Sequence, residues 1–297
     1  MRFEEKRIHA RDGFELAATV YPPDPRRYSG RVVIITSAMG VQRSFYRRFA
    51  THLAREGYPV VTFDYRGIGD SRPESLRRFK ARLQDWGDKD LAGVIDWAGR
   101  VFPEATFYLV GHSVGGQIFG LADNRDRVRG MVAVASQSAY WRHWSGRGRL
   151  GVFLLWYGVM PTVPRMLGYF PAKALRLGED LPGGVAREWA WWGRHPHYLH
   201  GRLSEGIRQG YERYDGRLRV YGFTDDFYAP DRAVRAFLRL YPNAASTHRR
   251  ISPRELDLRS IGHFGFFKEE AGGLLWHETV AWLRSLQPTP VAVTREY

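Results

Sequence analysis

The 297-residue chain contains no cysteine. That excludes a disulfide framework and any thiolate-held metal. Lysine is also scarce: Lys6, Lys80, Lys89, Lys173 and Lys268 are the only five, so the remaining basic residues, out of 45, are arginine. Long apolar runs are missing too. The longest, Leu150–Met160, stops at Pro161 and falls short of the roughly 20 residues of a bilayer span. It reads as a buried or substrate-facing helix that leaves room for membrane-surface contact. The opening Met1-Arg2-Phe3-Glu4-Glu5-Lys6-Arg7 lacks the apolar core of a secretory signal, so the expected location is cytoplasmic.

Acidic residues are outnumbered, with 31 against the 45 basic ones, for a net charge of +14. Such an excess raises nucleic acid or anionic membranes as partners. The arginines are dispersed, apart from clusters at Arg72–Arg82 and Arg142–Arg149. The reading is therefore a solvated basic surface and no nucleic-acid partner, with weak anionic-membrane contact left open. The sequence does not set an oligomeric state.

What is present is an alternation of strand and helix signals. Arg2–Ala10 and Phe14–Tyr21, joined at Asp12-Gly13, predict a hairpin. Val32–Thr36, Tyr58–Phe63, Ala105–Val110, Val128–Ala135 and Leu218–Phe223 read as buried strands, and Ser246–Ile251 as a further strand. Helical patterns cover Ser44–Glu56, Asp85–Arg100, Ala233–Tyr241 and Gly272–Leu286, and the tail after Pro288 reads as loose. This pattern predicts an α/β fold with a mostly parallel central sheet flanked by helices. Between 137 and 213 the strand pattern stops and Trp, Tyr, Gly and Pro abound. The expected organisation is a core of 1–136 and 214–297, with 137–213 inserted as a helical, aromatic-rich cap.

The chemistry-bearing motif is Gly111-His112-Ser113-Val114-Gly115, set between a strand and small apolar residues that open a helix. This is the strand–turn–helix context of a nucleophile elbow. It presents the Ser113 hydroxyl above the sheet edge, at a helix N-terminus that favours an anionic intermediate.

An elbow serine calls for an acid and then a histidine later in the chain. Asp225 and Asp226 follow the strand after the insertion. Asp226 is preferred because Pro230 suits the start of the next helix, although both acids could simply cap that helix. Of His248, His263 and His277, only His263 lies in a glycine-flanked loop, Gly262–Gly265, able to reach over the sheet. His263 would take the Ser113 proton while Asp226 orients the imidazole. The expected oxyanion donors are the backbone N–H groups of Val114 and Met39. Tyr140, Trp141, Trp144, Trp156 and Trp192 are candidate walls of an apolar acyl pocket.

These motifs, with Asp64-Tyr65-Arg66-Gly67-Ile68-Gly69-Asp70-Ser71, resemble the α/β-hydrolase superfamily. That last segment is similar to one common in lysophospholipase-like and serine-aminopeptidase-like members. Thr36–Gly40, Ala135–Trp141 and Gly262–Phe267 resemble a bacterial branch of predicted α/β hydrolases. Many relatives carry His-Gly where this chain has Ser37-Ala38, a departure in the oxyanion loop.

The resemblance implies a cofactor-free serine hydrolase working through an acyl-enzyme, with an esterase or lipase-like activity as the leading reading. Thioesterase, aminopeptidase and acyltransferase chemistry would use the same residues. An aminopeptidase would want an acidic patch in the cap, where Glu179-Asp180 and Glu188 are the only clustered candidates. A non-catalytic binding protein using its basic surface is the alternative of a different class. Gly146–Gly151 spells a dinucleotide-binding pattern but follows no strand, and no metal-ligand spacing occurs.

Overall fold

The computed structural model describes residues 3–201 and 203–286. The tail after Pro288 lies outside the described residues, as does the Arg2 start of the first strand-like run.

Ten strands occur among them: β1 Glu4–His9, β2 Glu15–Tyr21, β3 Arg31–Thr36, β4 Val60–Phe63, β5 Thr106–His112, β6 Val128–Val134, β7 Tyr169–Phe170, β8 Leu181–Pro182, β9 Arg217–Phe223 and β10 Ala245–Ile251. Eight form one sheet in the order β1-β2-β4-β3-β5-β6-β9-β10. β2 runs antiparallel to β1 and β4, and every other pairing is parallel. Val32, Val33, Ile34 and Ile35 of β3 are wholly buried, as continuous apolar runs covered on both faces must be.

Helices pack on both sides. Arg47–Arg55 buries Phe49, Ala50, Leu53 and Ala54, and ends at Gly57 with φ +94°. Ala92–Val101 buries Val94, Ile95 and Ala98. Glu269–Ser285 closes the described fold through Leu275, Trp276, Val280 and Leu283.

Three sequence expectations need correction. The elbow helix is a single turn, Val114–Gln117, before the backbone tightens into a 3₁₀ segment, Ile118–Leu121. So short an array of peptide dipoles adds little field at Ser113. The segment between β6 and β9 is mostly helical, but it also contains the two-residue ribbon β7–β8, too short to leave a sequence period. The apolar helix does not stop at Pro161, and runs continuously over Gly146–Leu167. Its turn at Leu155–Val159 is widened to a π-bulge. Pro161 falls in the first turn of the α-helical segment Met160–Leu167 that follows the bulge, where its missing N–H is tolerated.

Candidate active site

Strand β5 delivers Ser113 with φ +52° and ψ −115°, a conformation that costs a non-glycine residue energy. The surroundings hold it there. The Ser113 N–H donates to the Val134 carbonyl at 2.8 Å. The glycines are there for proximity: a Cβ on Gly115 would lie 2.3 Å from the Thr36 oxygen, and one on Gly111 would lie 2.6 Å from Gly116 Cα. Strand and helix can turn this sharply only without side chains at those positions.

The tight turn after β9 carries the acids. Asp226 Oδ1 accepts from the N–H groups of Tyr228 (2.8 Å) and Ala229 (3.1 Å). Its Oδ2 lies 2.7 Å from His263 Nδ1, with both side chains nearly sealed from solvent. A carboxylate oxygen accepts, so Nδ1 is the donor of this pair and Nε2 is the ring nitrogen that Asp226 leaves free. Asp225 has a different task. Its Oδ2 accepts from the N–H groups of Ile261 (2.8 Å) and Gly262 (3.1 Å), pinning the loop that bears His263. One acid grips the imidazole and its neighbour grips the imidazole's backbone.

Ser113 and His263 line the same cavity. In this resting arrangement the Ser113 hydroxyl makes a long, 3.5 Å hydrogen bond to Gln137 Oε1, and none to His263 among the described residues. Such contacts commonly tighten only when substrate is bound.

A buried relay that sequence reasoning missed runs behind these groups. His112 Nε2 sits 2.9 Å from the His263 carbonyl, and Nδ1 sits 2.9 Å from the Tyr46 hydroxyl. A carbonyl cannot donate, so Nε2 is protonated and Nδ1 accepts from Tyr46. The Tyr46 oxygen in turn accepts from the Ala38 N–H at 2.8 Å. The relay therefore ties the oxyanion-loop candidate to the backbone of His263 in one fixed direction. Burial pushes the His112 imidazole well below its usual range, assisted by the nearby His263, and raises the Tyr46 phenol, so both stay neutral. The sequence signal was there, a polar residue at the variable position of the elbow, but that position ordinarily reads as free.

Met39 lines the cavity and follows Ala38, whose N–H the relay holds. Gly40, at φ +66°, sits in the turn closed by the Val41 N–H donating to the Ala38 carbonyl at 3.1 Å. Val114 lies directly after Ser113 with its side chain fully buried.

The cavity measures about 390 Å³, within the size range of small-molecule sites. Trp144 and Trp156 line it, and Trp189, Val152, Leu155, Met160 and Phe170 extend the apolar wall. Trp144 Nε1 donates to the Phe227 carbonyl and Trp156 Nε1 to the Ala139 carbonyl, so these indoles are polar-satisfied. Tyr140, Trp141 and Trp192 do not line the cavity. Trp141 packs against Phe153 and Tyr157, Tyr140 packs against His143, and buried Trp192 packs against Tyr198. An aromatic-rich segment does not reveal from its sequence which rings face inward.

The segment Asp64–Ser71 stands outside the cavity. Asp64 accepts from the N–H groups of Arg43 and Asp70 and pairs with the Arg43 guanidinium, while Arg66 is clamped by Asp12 and Asp90. Its work is to fix the loop after β4. Among the described residues no group of three or more histidine or acidic side chains could hold a metal ion.

A sequence model described as the alpha/beta hydrolase fold matches residues 30–168. The chain has the alpha/beta-hydrolase fold. It is 28% identical over 126 residues to the quorum-quenching protein AidA of Acinetobacter baumannii (strain MDR-ZJ06), a match covering 42% of this chain and 40% of that protein. The chain thus matches about two fifths of that curated relative's length. Among solved structures it is similar to an α/β serine hydrolase of Xanthomonas campestris described as lacking a lid (16% identity, 98% of each chain covered, TM-score 0.55). It is also similar to an esterase of Exiguobacterium antarcticum (16% identity, 95% of this chain and 100% of that one, TM-score 0.60). At such identities these structures speak to the fold.

Proposed function

We propose that this α/β-hydrolase-fold chain is a serine carboxylesterase whose nucleophile is Ser113, with His263 as base and Asp226 as its orienting acid. The observation that carries the reading is the 2.7 Å contact of Asp226 with His263 Nδ1, which leaves Nε2 as the basic nitrogen in a cavity shared with Ser113. His263 takes the hydroxyl proton as Ser113 attacks the carbonyl carbon, and returns it to the departing alcohol. Water then attacks the acyl-enzyme by the same route, releasing acid and free serine. The N–H groups of Met39 and Val114 stabilise the tetrahedral oxyanion, each donor being worth about 3 kcal/mol.

The apolar wall formed by Trp144, Trp156, Leu155 and Met160 favours an ester with an apolar acyl part. Residues 137–213 then serve as the cap that supplies this wall. The esterases among the structural relatives are consistent with this activity class.

The test is hydrolysis of a p-nitrophenyl ester series from acetyl to long acyl chains, by the wild type and Ser113→Ala. The expected result is turnover that the substitution abolishes. Equal turnover by both proteins would refute the assignment.

A further inference from the structure

The helix Gly146–Leu167 has two faces of different character. Val152, Trp156 and Met160 point inward to the cavity. Trp156 also meets the helix Gly183–Arg194, where a Cβ on Gly193 would lie 2.5 Å from its indole nitrogen. The outward face is also apolar: Leu150 is 60% exposed, Leu154 54% and Tyr157 45%, spaced so that they form one stripe. Only 28% of the helix's most apolar stretch is buried. The cavity mouth continues this surface. Leu177, Phe227 and Tyr228 line the cavity yet are 50% exposed or more, and the Phe227 ring lies beside Gly148.

Charge is distributed unusually around this stripe. No aspartate or glutamate occurs from Arg127 to Gly178. Arg142, Arg147, Arg149, Arg165 and Arg176 make no ion pair among the described residues, whereas Arg11, Arg43, Arg66 and Arg219 each do. An exposed apolar stripe bordered by uncompensated guanidinium groups matches the interface of an anionic bilayer, where apolar side chains reach the acyl boundary and arginines meet phosphate. It does not suit a second copy of the chain packed face to face, which would set like charges opposite one another. Nor does it suit insertion across the bilayer, because the inner face is committed to the cavity and to Gly183–Arg194.

We propose that the outer face of Gly146–Leu167 docks the protein on an anionic phospholipid surface, with the cavity mouth beside the lipid. The docking stands independently of the catalytic reading. That reading adds that an apolar ester would enter the cavity from the membrane.

The test is co-sedimentation of the full chain with phosphatidylcholine vesicles, with and without phosphatidylglycerol. Variants are Leu150→Asp with Leu154→Asp, and Arg147→Gln with Arg165→Gln. None of these side chains lines the cavity, so hydrolysis of a soluble acetyl ester and the thermal unfolding midpoint report an intact fold. Expected are binding only when the anionic lipid is present, weakening with added salt, and a loss of about tenfold in partitioning for each pair of substitutions. Absence of binding to anionic vesicles at low salt, or binding that the leucine pair leaves unchanged, would overturn the proposal. So would a solution dimer dispersed by the leucine pair, which would assign the face to a second copy.

Discussion

His112 Nε2 donates to the carbonyl of His263 across 2.9 Å, so the residue before the proposed nucleophile holds the backbone of the proposed base. The far end of the same relay, Tyr46, holds the N–H of Ala38 next to the proposed oxyanion donor Met39. One buried path thereby fixes both sides of the cavity relative to Ser113.

Tyr46→Phe breaks this path at its centre. It leaves the Ala38 N–H and His112 Nδ1 without partners inside the protein, at a cost of about 1–3 kcal/mol for each such group. The urea midpoint should fall, and kcat should drop with KM nearly unchanged, because neither Tyr46 nor His112 lines the cavity. Steady-state kinetics on a p-nitrophenyl ester and urea unfolding check both.

The adjacent acids should separate cleanly. Asp226→Asn should reduce kcat by ~10⁴-fold, since the amide no longer enforces the tautomer with Nε2 as base. Asp225→Asn keeps an oxygen that can accept from Ile261 and Gly262, so the loss should be far smaller. Rates for the two variants on one ester decide the assignment.

The cavity wall should set chain length. Leu155→Trp fills space beside Trp156 and should cut the rate on long-chain esters relative to acetyl ester by roughly tenfold. Trp192→Ala should act differently. It removes a fully buried ring away from the cavity, so it should cost ~3–5 kcal/mol of stability while leaving chain-length preference unchanged. The acyl-chain profile of each purified variant, read beside its urea midpoint, tests the distinction.

Stability should carry a histidine signature. Burial pushes His143 and His200 each down to about 4, with nearby arginines contributing, and also lowers His52, His112 and His248. A depressed folded value means that the unfolded chain binds protons first. The stability these groups provide is therefore present above about pH 6.5 and drains away as pH falls toward about 4. Buried aspartates work in the opposite direction, with Asp90 raised to about 7 by burial, so the net slope is a difference. The clean measurement compares wild type with His200→Phe. The drop in urea midpoint between about pH 7.5 and about pH 5 should be smaller in the variant.

Much of this architecture was legible because its elements obey local rules. The strands β3, β4, β5 and β6 are short apolar runs covered on both faces, and the elbow glycines mark a turn that only small residues permit. Asp226 and His263 could be placed because each follows a strand or sits between glycines in the expected order. What was hidden depends on contacts between distant segments. His112 and Tyr46 meet across 66 positions, and the grip of Asp225 on Gly262 spans 37. Neither leaves a periodic trace. Pro161 misled because a widened turn before it lets a new α-helical segment open at Met160, and the first turn of a helix tolerates proline. The aromatics of the inserted segment gave the chemistry of the cavity wall without its membership, since Trp191 and Trp192 are neighbours in sequence but not equally buried.

Covalent labelling of the native protein with a fluorophosphonate, followed by peptide mass spectrometry, probes the proposed nucleophile itself. A single phosphonyl adduct on Ser113 is expected, absent in Ser113→Ala and strongly slowed in His263→Ala. A folded wild-type protein that takes no label, or takes it on another residue, would contradict it.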